Sequence, residues 1–129
     1  MEIYYELLND RQDVDLEKLK LVHQLDSIKK YINIGDNFFD YVITNQNTFL
    51  YKIKIENKLV GELYLEKNDL TLYLSILIKP EKQHLGIASK ALYDVINNKF
   101  NVDFNKILVS IDKDNVNSIK LFKKMKFVQ

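Results

Sequence analysis

The stretch that decides the fold is LYLSILIKPEKQHLGIASKALYDVI, residues 72–96. From Leu72 to Ile78 the side chains follow the two-residue period of a β-strand, and the near-absence of polar residues predicts a central strand buried on both faces. Beyond the turn, apolar residues recur at three- and four-residue steps, which predicts a helix over 86–98 with Lys90 and Asp94 facing away from the core. The apolar positions of that helix are Ile87, Ala88, Ala91, Leu92, Val95 and Ile96.

The turn between this strand and helix has the properties of an anion site. A helix start leaves up to four backbone N–H groups without partners and carries the positive end of the helix dipole, about half a unit charge. Gly86 and Ala88 keep the backbone bare there, so a diphosphate can approach the amides closely. The turn matches neither a G-x-G-x-x-G fingerprint nor a Walker A loop, because it lacks the extra glycines and the Gly-Lys-Ser/Thr ending.

Two motifs give the chain a family resemblance. The pattern Gln83-x-x-Gly86-x-Ala88, placed after a strand and Pro80, resembles the cofactor-binding motif of GNAT-type N-acetyltransferases. Residues 115–127, NVNSIKLFKKMKF, are similar to the family's N-x-x-A/S-hydrophobic-x-L-Y-x-K-x-G-F helix. The resemblance covers about the C-terminal half of the chain. It implies an α/β (α+β) domain with a mixed, mostly antiparallel central sheet flanked by helices, and acetyl-coenzyme A as co-substrate.

The resemblance also implies where the cofactor lies. Amides from Gln83 to Ala88 would hold the diphosphate, and the backbone at the end of the central strand would pair with the pantetheine arm. Asn115 resembles the Asn that bonds the cofactor arm or orders water, and it is equally suited to cap a helix. His84 either touches a phosphate or is merely exposed. The implied cofactor-binding residues are Leu77, Ile78, Gln83, His84, Leu85, Gly86, Ile87, Ala88, Asn115, Ser118 and Phe122.

The catalytic residues predicted from the sequence are Glu62 and Asn115. Glu62 lies mid-strand beside the central strand, where a carboxylate can reach a water near the thioester and act as base. The alternative for Glu62 is a solvated strand residue paired with a Lys. A strand pair splayed apart at the cofactor would leave an N–H group to stabilise the thioester oxyanion. His23 is assigned a structural role.

Two positions depart from the family pattern. Phe122 stands where the family usually has a Tyr thought to protonate the departing thiolate, and losing a general acid costs about 10²–10⁴-fold unless another group substitutes. Tyr93 and Ser118 are the candidate substitutes. Lys126 stands where a Gly usually precedes the Phe. The leading hypothesis is an N-acetyltransferase acting on a small-molecule or protein amine, and the alternative is a non-catalytic module that binds acyl-coenzyme A as a sensor or subunit.

Composition restricts the other possibilities. The 129 residues predict one domain spanning 1–129, and the absence of Cys excludes disulfides, thiolate metal sites and Cys nucleophiles. A net charge of +1 with intermixed signs offers no basic stripe for nucleic acid. The first residues lack the features of a signal peptide, and no apolar run approaches the roughly 20 residues that cross a bilayer. We therefore expect a cytoplasmic protein without metal, nucleic-acid or membrane partners.

The rest of the chain completes a sheet. Strands are predicted over 2–8, 48–55, 58–65 and 70–78, the last three as an antiparallel meander, with 106–111 parallel to the central strand because a helix crossover precedes it. Asp13 or Asp15 can cap a first helix, and Asp26 or Ser27 a second that ends at Gly35 and lies over the substrate. The aromatic segment 36–41 either covers the sheet or lines an acceptor pocket.

The end of the chain predicts an uncovered edge. A helix is expected over 115–125, after which the resemblance leads us to expect one or two further strands, whereas only Phe127-Val128-Gln129 remain. Unpaired sheet edges are seldom left bare. A second copy of the chain, forming a homodimer, or a rearranged local segment is therefore expected to cover this edge.

Overall fold

The computed structural model, which describes residues 2–129, contains one five-stranded sheet with the strand order β1-β2-β3-β4-β5. The first four strands are antiparallel to their neighbours, and β5 runs parallel to β4. This confirms the predicted fold class and the predicted parallel pair. β4 has a neighbour on each side but lies next to the edge rather than at the centre of the sheet. The strands are β1 Tyr4–Leu7, β2 Thr48–Ile55, β3 Lys58–Asn68, β4 Thr71–Ile78 and β5 Lys106–Leu108.

Helices cover both faces of this sheet. One face carries the helices of the first third of the chain, which pack on Leu50 and Leu59. The other carries the two later helices, whose buried residues include Ile87, Leu92 and Phe122. None of the helices within residues 2–129 is long and apolar enough to cross a membrane. The helices are α1 Leu16–Gln24, α2 Asp26–Lys29, α3 Phe38–Thr44, α4 Ile87–Ile96 and α5 Val116–Lys124, with a 3-10 turn at Pro80–Lys82.

The structure corrects the prediction for the segment between α1 and β2. α2 ends at Lys29, so the expected helix end at Gly35 is wrong. The aromatic segment that the sequence left ambiguous instead starts α3, whose Phe39 and Val42 are buried against the sheet. Their spacing of three residues places them on one side of the helix. α3 therefore covers the sheet with part of its aromatic segment.

Asp94 on α4 was expected to face away from the core, and this is also wrong. Asp94 is buried, and its carboxylate accepts hydrogen bonds from the Tyr5 hydroxyl at 2.6 Å and from Lys90 Nζ at 2.6 Å. Burial together with the hydrogen bond to Asp94 raises the pKa of Tyr5 far above its usual value. A strand residue from the start of the chain thus supplies the partner that lets a carboxylate face inward.

An ionic network ties the loop before α1 to the sheet. Asp15 stands at the N-cap position of α1 without capping it, because its carboxylate binds Lys54 Nζ at 2.9 Å and Lys52 Nζ at 3.0 Å. Lys52 also binds Asp13 at 2.9 Å and Glu6 at 3.2 Å. Burial alone would raise the pKa of Asp15, but the hydrogen bonds from the two lysines outweigh it and hold that pKa below its ordinary value.

We expect this network to make the folded protein acid-sensitive. Because the pKa of Asp15 is lower in the folded state, its stabilising contribution is fully present above the unfolded-state pKa of about 4 and is lost as pH falls through the folded-state value. Urea unfolding should give a flat free energy of unfolding from pH 5 to 8 and a decline below about pH 4. Asp15→Asn should lower stability at pH 7 by about 1–3 kcal/mol and flatten the acid decline. An equally steep decline in that variant would place the sensitivity elsewhere.

The β5 edge of the sheet is not paired by the residues that follow α5. Residues 127–129 form no strand, and β5 has only β4 as a partner within the described part of the chain. Leu108 on this strand is partly exposed. The homodimer through this edge stays a prediction.

Candidate active site

The pairing between β4 and β5 stops before β4 ends. Their ladder has three pairs, from Thr71 with Lys106 to Tyr73 with Leu108, whereas β4 continues to Ile78. The backbone groups of residues 74–78 that face the β5 side therefore have no strand partner there. Polar backbone groups seek partners, so this half of β4 offers a ladder edge to an extended ligand.

The turn after β4 presents a bare helix start at the end of that edge. Gly86 is the N-cap residue of α4 at φ +84°, and no side chain within residues 2–129 caps this helix start. A Cβ built on Gly86 meets nothing within 4 Å, so the space in front of it is open. Gln83 Nε2 donates a hydrogen bond to the Ile78 carbonyl oxygen at 3.1 Å, which fixes the turn to the end of β4. His84 also has a left-handed φ of +63° and is exposed.

A cleft of about 490 Å³ joins the open strand edge to the helix start. All the cofactor-binding residues predicted from the sequence line it except Leu85, whose side chain is exposed. The cleft also brings in residues that sequence reasoning did not single out. Lysines of the turn and of α5 line the cleft. Residues of α2 and of the loop after it, most of them small or apolar, form another part of its wall. These additional residues include Lys82, Lys120, Lys124, Ser27, Ile28, Tyr31 and Ile32.

The start of α5 forms the wall opposite α4. Asn115 is the N-cap residue, and its Oδ1 accepts a hydrogen bond from the Ser118 amide at 3.3 Å. The Tyr31 hydroxyl donates to the Asp114 carbonyl oxygen at 3.3 Å, so the segment after α2 reaches the start of α5. Asn115 thus has the capping geometry expected from its sequence, and its amide group lies at the cleft.

Phe122 lies in the same wall, buried, with its ring edge-on to Phe127 at 5.1 Å between centroids. The backbone conformation at the C-terminal end of α5 brings these two rings together. The Phe127 amide donates to the Phe122 carbonyl oxygen at 2.9 Å and the Lys126 amide to that of Lys123 at 2.9 Å, which is a Schellman motif with its usual apolar contact. Lys126 occupies the left-handed position at φ +70° that favours Gly. The backbone of the Gly-Phe ending is therefore kept without the Gly.

Glu62 is neither solvated nor paired with a Lys, so that alternative is wrong. Its carboxylate is buried, and Oε1 lies 2.6 Å from Nε2 of His23. Lys52 is directly opposite Glu62 on β2, but the Lys52 ammonium forms ion pairs with Asp13 and Asp15 instead. His23, assigned a structural role from the sequence, is the partner of the candidate base. No periodicity could have shown this, because the two residues are 39 positions apart.

Glu62 also lies farther from the cleft than the sequence suggested. It does not line the cleft, whereas Leu77, its partner across the β3–β4 ladder, does. Leu77 packs with Val22 and Ile28 in a small buried cluster on the α1 and α2 side of the sheet. Glu62 thus lies beside a residue of the cleft wall without lining the cleft itself.

A family model described as the Acetyltransferase (GNAT) family matches residues 6–127. The chain belongs to this family. The match spans nearly the whole sequence, including the second half of β1, the α1–α3 region and the α5 end, and so extends well beyond the two motifs. A search of curated proteins finds no match.

Solved structures with the same fold include acetyltransferases of different kinds. A GNAT family acetyltransferase from Elizabethkingia anophelis with acetyl-CoA bound has a TM-score of 0.71 and 20% identity, covering 95% of this chain and 74% of that one. An aminoglycoside acetyltransferase from an uncultured soil metagenomic sample, in complex with sisomicin, has a TM-score of 0.74, 16% identity and coverages of 97% and 88%. Ribosomal-protein-alanine N-acetyltransferase from Brucella melitensis biovar Abortus 2308 has a TM-score of 0.74 and 12% identity, covering 99% of this chain and 93% of that one. At these identities the likeness shows the fold.

Proposed function

We propose that this GNAT protein is an N-acetyltransferase that moves an acetyl group from acetyl-coenzyme A to an amine by direct attack. The observation that carries the proposal is the meeting, in one cleft, of an unpaired strand edge and an uncapped helix start. An extended chain ending in a diphosphate requires these two features in succession. Family membership and the acetyl-CoA bound to a structural neighbour support acetyl-coenzyme A as the co-substrate.

The diphosphate would lie at the turn before α4. Amides from Gln83 to Ala88 would donate to its oxygens, and the open space at Gly86 allows their close approach. Lys82, Lys120 and Lys124 around the cleft supply positive charge for the phosphates. The pantetheine arm would pair with the backbone of Leu77 and Ile78, since an amide-bearing chain can replace the strand that is missing there.

The chemistry assigned to the site is aminolysis of a thioester. The neutral amine attacks the carbonyl carbon, an unpaired N–H of β4 stabilises the oxyanion, and the C–S bond breaks with its electrons on sulfur. Asn115, at the helix start in the cleft, would bind the cofactor arm or order a water. Glu62 belongs to the machinery that deprotonates the amine. Phe122 has no hydroxyl, so we assign protonation of the thiolate to water in the cleft.

The second candidate function is a module that binds acyl-coenzyme A without turnover. Two observations favour it: a phenyl ring in the place of the usual acid, and a candidate base, Glu62, that is buried and does not line the cleft. The acceptor separates the candidates, because only the enzyme needs one. Structural neighbours include an aminoglycoside acetyltransferase and a ribosomal-protein-alanine N-acetyltransferase. We therefore propose an amine of a small molecule or of a protein.

Two measurements test this proposal. Calorimetric titration with coenzyme A should show one site with an affinity in the micromolar range, which is typical of enzyme substrates. Incubation with acetyl-coenzyme A and a panel of aminoglycosides, alanine-terminated peptides and simple primary amines should release free thiol with at least one acceptor. Binding without release across the panel would favour the non-catalytic module. Absence of binding would refute both functions.

A further inference from the structure

The buried pair of His23 and Glu62 contains an unexplained polar atom. Within residues 2–129, Nδ1 of His23 is the one buried side-chain nitrogen or oxygen without a hydrogen-bond partner. Native structures contain few such atoms, and each one has a physical reason such as a reactive role or a bound water. The same ring uses its other nitrogen, Nε2, at 2.6 Å from Glu62 Oε1.

The partner of Nε2 determines what Nδ1 can do. An ionised carboxylate only accepts hydrogen bonds, so we assign the hydrogen to Nε2, which then donates it to Glu62. In the neutral ring this leaves a bare lone pair on Nδ1, which accepts a proton. A carboxylate behind an imidazole fixes the tautomer and stabilises the positive ring that forms when the free nitrogen takes a proton.

The His23 ring lies beside two aromatic rings of α3. The rings of Phe38 and Phe39 on α3 lie 6.1 Å and 5.7 Å from the His23 ring. β3 contributes Glu62, and the Lys52 ammonium on β2 is bound to Asp13 and Asp15. Leu77, which lies opposite Glu62 on β4, belongs to an apolar layer with Val22 and Ile28.

That apolar layer connects the pair to the cleft. Ile28 and Leu77 belong to the layer and also line the cleft, so the layer borders the cleft as well as Glu62. Ile28 belongs to α2, a helix of only four residues, the shortest of the five. A proton that passes from an amine in the cleft to Nδ1 would therefore have to cross this layer, through displacement of an apolar side chain or entry of a water.

We propose that His23 is the proton acceptor of the reaction and that Glu62 is the residue that positions it. An N–H bond of the acceptor ammonium breaks, and an N–H bond forms on Nδ1, directly or through one water. The neutral amine then forms the C–N bond, the C–S bond breaks, and a second proton leaves the nitrogen for water. The thiolate takes a proton from water, and His23 returns its own to solvent. The net reaction is ammonium plus acetyl thioester giving amide, thiol and one released proton.

This inference rests on the proposed function, but its first test does not depend on turnover. The sequence has two histidines, His23 and His84. The ring nitrogens are observed by NMR in the 129-residue protein labelled with 15N-histidine. His84→Gln serves only to assign the remaining ring signals to His23. We expect the tautomer with the hydrogen on Nε2 and a free Nδ1. A proton on Nδ1 in the resting protein would overturn the proposal, whatever the protein does with acetyl-coenzyme A.

The second test separates His23 from Glu62 as the proton acceptor. His23→Gln keeps an N–H donor for Glu62, so activity should survive if Glu62 is the base and His23 only holds it. We expect instead a fall in kcat of about 10²–10⁴-fold with the amine found in the panel, and an unchanged Kd for coenzyme A. The matched control on the same helix is Lys20→Gln, an exposed site at which kcat should not change.

A chemical rescue completes the test. His23→Ala leaves a space the size of an imidazole, and added imidazole should restore part of the lost rate, whereas it should not restore Glu62→Ala. Activity of His23→Gln within threefold of the original protein would overturn the proposal. If no amine is acetylated by the unsubstituted protein, the proposed function fails. The 15N NMR spectrum alone then decides whether Nδ1 is a free proton acceptor.

Discussion

Gly86→Glu is expected to abolish coenzyme A binding while the protein stays folded. Gly86 is the N-cap residue of α4, and the space in front of it is open. A carboxylate there would occupy that space, meet the amides intended for the diphosphate and repel its negative charge. Removing a charge-assisted cradle and adding a like charge should weaken binding by at least about 100-fold, since each effect amounts to a few kcal/mol.

Gly86→Ala is the matched control, because its Cβ meets no atom within 4 Å. The φ of +84° still penalises Ala by about 1–2 kcal/mol, so a lower Tm and a modest loss of affinity are expected. Both variants share this backbone strain, and only the Glu variant adds bulk and charge. Calorimetry with coenzyme A and thermal unfolding should be run side by side. Equal affinity of the Glu and Ala variants would place the diphosphate elsewhere.

The region around this turn was predictable from the sequence because its signals are local. The alternation in β4 and the helical spacing in α4 each act over fewer than a dozen residues, and Gly86 marks the junction. α3 was missed for the opposite reason. Its seven residues contain only two buried side chains, Phe39 and Val42, too few to establish a period.

Pairs of polar residues from distant parts of the chain were beyond sequence reasoning. Tyr5 and Asp94 are 89 positions apart, and His23 and Glu62 are 39 apart. An acid on a strand or helix is expected to face water unless its partner is known. The sheet brings these partners together, so the inward direction of Asp94 and Glu62 depends on topology rather than on local pattern. The candidate chemistry at Glu62 therefore changed most when the fold was known.

Gly61→Ala is expected to destabilise the fold severely. Gly61 lies on β3 opposite Ile78, and a Cβ there would fall far inside van der Waals contact with the Leu77 carbonyl oxygen. It would also lie 3.1 Å from the Ile78 Cα. Backbone atoms of a paired strand cannot move aside as the end of a flexible side chain can. Overpacking of this kind should cost about 3 kcal/mol, or about 10 °C in Tm.

The position of the clash gives this substitution a second effect. Just before Gly61 the β2–β3 register shifts, and the Lys79 amide donates to the Val60 carbonyl oxygen at 2.8 Å, so β3 holds the end of β4 at this point. Forcing the strands apart would displace the backbone of Leu77 and Ile78, where the pantetheine arm is proposed to pair. At a temperature where the variant is folded, coenzyme A should therefore bind more weakly.

Gly35→Ala is the control for Gly61→Ala. A Cβ on Gly35 meets nothing within 4 Å, and its φ lies outside the left-handed region, so the same change should be neutral or slightly stabilising, by up to about 1 kcal/mol. Urea and thermal unfolding of the two variants measure the difference directly. If Gly61→Ala unfolds at the same midpoint as Gly35→Ala, then β3 and β4 are not packed as closely as the structure requires, and the strand edge proposed to bind the cofactor is not held in place by Gly61.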